Sequence, residues 1–219
     1  MSNPRKIKQF FRLSLGNALE WYDFCLFGYF ASVIGEVFFN TGDKQTDLLL
    51  AFSAFGIGYL SRPIGGWLFG RLGDRIGRYY AMNLSVIIMG ISSILCAFLP
   101  GYTTIGIAAP ILLLLIRIIQ GLSAGGQYGN LLVITSENNA LRHKGFYTGI
   151  VYSVGTAGFL LASATSSLVL DLSPSNWSDF AWRIPFYWVV FYCVSKSILH
   201  IKIRVHPQIN LKHRIAAVA

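Results

Sequence analysis

Six stretches of this chain, residues 13–39, 48–68, 79–99, 105–135, 146–170 and 184–203, are dominated by apolar side chains. A helix needs about 20 such residues to cross the hydrocarbon of a bilayer, and each stretch is long enough. The first and fourth exceed that length and must tilt or protrude. None alternates with period two, which argues against an outer-membrane barrel. Charged residues make up 12% of the 219, against roughly 25% in soluble domains. The expected fold is an all-α membrane protein of six transmembrane helices. Residues 1–12 form an N-terminal tail, 13–203 the bundle and 204–219 a C-terminal tail.

Between the second and third stretches lies Gly70-Arg71-Leu72-Gly73-Asp74-Arg75-Ile76-Gly77-Arg78. Charges this dense are excluded from lipid, so the segment is expected to be a short turn at the membrane surface. Its glycines permit a sharp reversal, and Asp74 is suited to cap the next helix. The net charge of +9 is distributed by side. Arg5, Lys6, Lys8 and Arg12 precede the first span, and Arg142 and Lys144 lie in the fourth connection. Lys202, Arg204, Lys212 and Arg214 follow the last span, while the odd-numbered connections add little beyond Lys44. That is the positive-inside pattern, with both termini in the cytoplasm, and it argues for a lipid bilayer rather than nucleic acid as the partner of the basic residues.

Other chemistries find little support. The first apolar run carries Glu20 and Asp23 and is too long for a cleavable signal. Cys25, Cys96 and Cys193 all fall within spans, so a disulfide framework is not expected. His143, His200, His206 and His213 lack metal-ligand spacing, and no metal is expected. Ser123, Ser153 and Ser163 have no histidine at membrane depth, so the chain does not read as an enzyme. Asn176-Trp177-Ser178 matches a glycosylation acceptor, a pattern short enough to occur by chance.

Ionisable residues inside a membrane are functional candidates because they are costly to bury. Glu20 and Asp23, three apart, share one face of the first span. Arg117 lies near the middle of the fourth, at a depth similar to that of Asp23, roughly 15–18 Å along each helix. Two readings stand side by side. An Asp23–Arg117 pair only orients two helices, or Asp23 (or Glu20) takes up a proton while Arg117 biases that uptake. Gln120, Ala124, Gln127 and Tyr128 continue a strip on the same side of the fourth span, which is expected to face the bundle interior or a watery path. Gly121, Gly125 and Gly129 have small-xxx-small spacing suited to close helix contact, and Gly66 and Gly70 repeat it in the second span. Gly149, Gly155 and Gly158 mark the fifth more weakly.

With these residues assembled, the chain resembles the major facilitator superfamily. Gly70–Arg78 looks like its signature loop between the second and third helices, and Leu114-Leu115-Ile116-Arg117-Ile118-Ile119-Gln120-Gly121 looks like its fourth-helix arginine motif. Gly16-Asn17-Ala18-Leu19-Glu20-Trp21-Tyr22-Asp23-Phe24 resembles the first helix of the metabolite:proton symporters, as do Arg62-Pro63-Ile64-Gly65-Gly66 and Trp182-Arg183-Ile184-Pro185-Phe186. The resemblance implies proton symport of a small zwitterionic or carboxylate metabolite, proline/betaine first and α-ketoglutarate next, across the bacterial inner membrane. It implies no cofactor beyond the proton. Glu20, Asp23 and Arg117, with Gln120, Gln127 and Tyr128, become candidates for coupling or substrate contact. Gly70, Gly73, Asp74, Arg75, Gly77 and Arg78 become the cytoplasmic gate.

Relatives have glutamate where this chain has Gln127, which removes one possible coupling carboxylate. They also have twelve spans where this chain has six, the N-terminal half of a facilitator fold. A truncated or split carrier is therefore expected, completed by a separately encoded second half or by a second copy. The alternative is a non-transporting remnant or an accessory membrane subunit.

Overall fold

The computed structural model describes residues 4–137, 144–172 and 178–188. Beyond Trp188, the expected sixth span, Cys193 and the tail 204–219 lie outside the described residues, as do all four histidines and the Asn176 acceptor. Among the described residues the chain is helical, without strands. In order come α1 (Pro4–Tyr29), α2 (Ala31–Phe38), α3 (Lys44–Leu60), α4 (Arg62–Ile76), α5 (Arg78–Phe98), α6 (Tyr102–Ile105), α7 (Ala108–Glu137), α8 (Lys144–Leu172) and α9 (Ser178–Ala181).

The first five expected spans fall on helices among the described residues, with two joints that the hydropathy pattern conceals. The first span is α1 followed by α2, separated at Phe30, although Phe30 N–H still donates to Leu26 O and Ile34 N–H to Phe30 O, each at 2.9 Å. The second is α3 followed by α4. Ser61 Oγ turns back onto Gly58 O at 2.8 Å, and Pro63 in the first turn of α4 has no N–H to give. Together α3 and α4 make a 33-residue segment, about 50 Å of helix, which outreaches the hydrocarbon by several turns.

The surplus length corrects the reading of Gly70–Arg78 as a turn. Gly70–Ile76 is helix, the last two turns of α4, and the reversal into α5 is made by Gly77 alone, at φ 101° and ψ 136°. Only glycine adopts that conformation without strain. Asp74 does not cap α5, whose N-cap is Gly77 without a side-chain bond; it reaches along the helix surface to Arg78 instead.

α7 runs through the middle of the bundle, against α3 and α4 on one side and α5 on another, while α8 packs along α1. Small residues decide how closely these pairs approach. A Cβ on Gly121 would meet Gly58 O and Ser61 Oγ, one on Gly125 would meet Arg62 O, and one on Gly65 would meet Leu122 O. A Cβ on Gly158 would meet Ala18 O. Gly70, Gly129 and Gly149 have nothing within 4 Å, so they are not packing glycines as expected, and Gly66 makes only an ordinary contact at 3.6 Å from Gly125 O. The spacing pattern marks one helix face, but each glycine's neighbour is decided by where the partner helix crosses.

The main core gathers Phe27, Phe30, Ile34, Phe38, Leu113, Trp182 and Phe186 toward the α2 end, and a smaller one joins Met82, Leu131, Ile134 and Val151. Large apolar side chains remain outside on every long helix described, among them Leu60, Trp67, Ile91, Leu115 and Leu160. That is the surface a lipid solvent rewards rather than penalises.

Candidate functional site

Between the two apolar clusters, α1, α5 and α7 bury polar side chains against one another. Glu20, Asp23, Arg117, Gln120 and Gln127 are each no more than 2% exposed, and Tyr128 is half-buried. The polar strip of α7 therefore faces inward over most of its length. No ion pair within 4.0 Å joins Asp23 to Arg117.

The reason lies in what fills the space between. Gln120 Nε2 is 3.2 Å from Asp23 Oδ2 and 3.2 Å from Ser93 Oγ, so an α7 amide bridges α1 to α5. Arg117 turns toward α5 instead. Its Nη2 donates to Cys96 Sγ at 3.8 Å, and its guanidinium lies 3.7 Å above the Phe27 ring. A cation over an aromatic face gains from the ring quadrupole, more so away from water. Asp23 and Arg117 thus engage different partners, Asp23 the Gln120 amide and Arg117 the Cys96 thiol and the Phe27 ring.

Glu20 shares the α1 face with Asp23 but faces a different partner. Its Oε1 is 3.9 Å from Nη2 of Arg62, the first residue of α4. Trp21, Phe24 and Tyr59 surround that guanidinium, with ring centroids 4.5, 4.1 and 5.3 Å from its carbon. Arg62 is a charge inside an apolar stretch, and that signal was available in the sequence. Cys96 and Ser93 carried none, since a thiol and a hydroxyl in a span are ordinary. Asn17 was equally silent; its Nδ2 donates to Val151 O at 3.0 Å and ties α1 to α8.

At the far end of α4, Arg78 Nη2 pairs with Asp74 Oδ1 at 2.5 Å, and its Nη1 is 3.4 Å from Asn130 Oδ1 on α7. Asn130 in turn donates to Gly126 O at 2.8 Å and Phe69 O at 3.3 Å. Gly73 is required here, because a Cβ would come within 2.6 Å of Asn130 Oδ1. Gly73, Asp74 and Arg78 thus join one cluster, whereas Arg75 and Gly77 are exposed and Gly70 offers only its carbonyl, 3.5 Å from Arg78 Nη1. At the opposite end, Asp47 accepts from Thr41 N–H and Oγ1, both at 2.8 Å. It lines an open cleft of about 590 Å³ with Glu36, Thr104 and Arg183. Among the described residues no cluster of histidine, cysteine or carboxylate could hold a metal.

The chain is similar to known proteins. The model of the sugar (and other) transporter family matches residues 10–204. The proline/betaine transporter of Escherichia coli (strain K12) is 39% identical over 175 residues, covering 80% of this chain and 35% of its own length. The alpha-ketoglutarate permease of the same organism is 42% identical over 183 residues, covering 83% of this chain and 42% of its own. The citrate-proton symporter of Salmonella typhi is 41% identical over 177 residues, covering 80% and 41%. The chain therefore spans well under half the length of these relatives. Among solved structures, the inward open xylose transporter XylE from E. coli superposes with a TM-score of 0.76 at 16% identity, covering 88% of this chain and 47% of that one. A likeness at that identity establishes the fold alone.

Proposed function

This chain belongs to the sugar (and other) transporter family of the major facilitator superfamily, and from that premise we propose that it forms part of a secondary carrier coupling a small polar metabolite to proton entry. The observation that carries the reading is the buried Asp23–Gln120–Ser93 network with Arg117 beside it. A carboxylate buried among helices is costly unless its charge state is put to use.

In this reading Asp23 is the proton acceptor. While it is ionised, the Gln120 N–H and the nearby Arg117 charge stabilise it. Protonation at the unpartnered Oδ1 removes the charge, so the Gln120 hydrogen bond to Oδ2 weakens and Arg117 loses an attractive neighbour. Both changes act on the seam between α1 and α7. Glu20 and Arg62 form a substrate-facing pair, with Gln127 and Tyr128 on α7. The Gly73–Asp74–Arg78–Asn130 cluster is the cytoplasmic gate, with both termini on that side of the inner membrane. The names of its relatives support a zwitterion such as proline or betaine, with a dicarboxylate such as α-ketoglutarate next. Carriers of this architecture bind substrate between two six-helix halves that rock against each other. Transport therefore requires a second half, from another chain or another copy.

The test is uptake into proteoliposomes under an imposed proton gradient, with the chain expressed alone and with a facilitator C-terminal half. Asp23→Asn is expected to abolish gradient-driven accumulation while leaving substrate exchange down its own gradient. Unchanged accumulation by Asp23→Asn would sink the coupling role. Absence of uptake in every combination would favour the non-transporting alternative.

A further inference from the structure

Arg62 is an unusual occupant of its site. Three rings close around its guanidinium, and its Nε and Nη2 are buried without a hydrogen bond. The nearest carboxylate oxygen recorded as an ion-pair partner stands 3.9 Å away. A guanidinium carries five N–H donors in a planar fork, and here most of that capacity meets π faces that accept poorly. The site suits a cation in general better than it suits this one.

The rings do not depend on Arg62 for their placement. Trp21 stacks on Phe159 of α8 with centroids 4.9 Å apart, and Phe24 rests on Phe55 at 4.6 Å. Phe24 also meets Tyr59 at 6.0 Å. Trp21 and Phe24 project from one face of α1, three residues apart, with Glu20 beside them. Tyr59 lies across on α3 and is 53% exposed, so the enclosure opens to the outside of the described bundle. Removal of the guanidinium would leave a three-sided aromatic cage with a carboxylate near its floor.

We propose that Trp21, Phe24, Tyr59 and Glu20 form a binding site for a fully alkylated ammonium group, which Arg62 fills when no ligand is bound. The proposal deepens the carrier reading, on which it rests for the ligand's passage but not for its binding. A tetraalkylammonium has no N–H to leave unsatisfied, so aromatic walls without acceptors cost it nothing, and cation–π attraction is retained. The displaced guanidinium swings toward the opening beside Tyr59 and meets the ligand's own carboxylate. The exchange is charge-neutral for a zwitterion: its ammonium replaces Arg62 opposite Glu20, and its carboxylate pairs with Arg62. A dicarboxylate has nothing to place between the rings. A secondary amine such as proline brings two N–H groups that the rings cannot serve, so it binds more weakly than a betaine.

Calorimetric titration of the purified chain in detergent tests this, with glycine betaine, proline, α-ketoglutarate and tetramethylammonium chloride as probes. The unsubstituted chain is expected to prefer glycine betaine, because tetramethylammonium cannot compensate the displaced Arg62. Arg62→Gln empties the cage and is expected to tighten tetramethylammonium by about tenfold. Adding Tyr59→Leu should reverse that gain, and adding Tyr59→Phe should keep it. In the otherwise native chain, Trp21→Leu should weaken glycine betaine by about tenfold. The proposal is overturned if Arg62→Gln, with its melting temperature preserved, gains no affinity for tetramethylammonium, or if the gain survives Tyr59→Leu. Should Arg62→Gln fail to fold, unchanged glycine betaine binding by a folded Trp21→Leu chain overturns it equally. Failure of proton-driven uptake would reject the carrier reading and leave these titrations standing.

Discussion

Asp43 does for α3 what Asp74 was expected to do for α5. Its carboxylate accepts from the N–H of Thr46 at 3.0 Å, from Thr46 Oγ1 at 2.6 Å and from the N–H of Gln45 at 3.4 Å. Those bonds, Thr46's side chain first, hold its carboxyl below the usual aspartate range. A depressed folded-state value means that the contribution to stability is complete above the unfolded value and disappears as pH falls through the folded one. The gap in melting temperature between the native chain and Asp43→Ala should therefore be full above about pH 4 and close below it. A gap that persists at the acid end would show that the cap acts without its charge. At this scale the sequence was legible wherever a charge interrupted an apolar run: Glu20, Asp23 and Arg117 are all buried polar residues of one region. It was opaque about pairing. Glu20 and Asp23 are three positions apart, yet one faces α4 and the other α7. Arg62 escaped notice as an intramembrane charge because it stands beside Pro63 in a motif that invited comparison rather than burial.

Helix faces were easier to foresee than helix partners. The Gly121–Gly125 face does lie against α3 and α4, but Gly121 meets Gly58 and Ser61 and Gly125 meets Arg62 and Gly66, while Gly70 takes no part. Crossing angle and depth decide such a match, and neither is written in the spacing of one strand of sequence. The contrast is measurable. Gly125→Ala drives a methyl into backbone atoms of Arg62 and Gly66 that no rotamer change can clear, and should cost about 3 kcal/mol. Gly129→Ala, four residues along the same helix with open space around it, should be neutral or stabilising by up to about 1 kcal/mol. Thermal unfolding of the two variants in detergent checks both; equal effects would mean that the α4–α7 seam relaxes freely. The reach of α4 to Ile76 was missed for a related reason. Hydropathy reports where lipid ends, whereas a helix stops only where its backbone is made to stop, here at Gly77.

Across the whole molecule, the proposed orientation puts the Asp74–Arg78–Asn130 cluster and the cleft around Asp47 on opposite sides of the membrane. A membrane-impermeant maleimide applied to intact cells should label Thr103→Cys, which is exposed beside the cleft, and spare Arg75→Cys, which is exposed at the other end. The unsubstituted chain supplies the background, since Cys25 and Cys96 are buried. The reverse labelling would invert the topology. The expected orientation rests on charge distribution alone, because sidedness follows the excess of lysine and arginine in short connections and needs no knowledge of packing. The same architecture constrains how the molecule is made. Four segments among the described residues are long and apolar enough to cross a bilayer unaided, and α1 is in none of them. The amide that meets Asp23 lies 97 residues later in the chain, and the carbonyl that meets Asn17 lies 134 later. Until α7 and α8 have been made, Asp23 and Asn17 therefore lack the partners that hold them in the finished bundle.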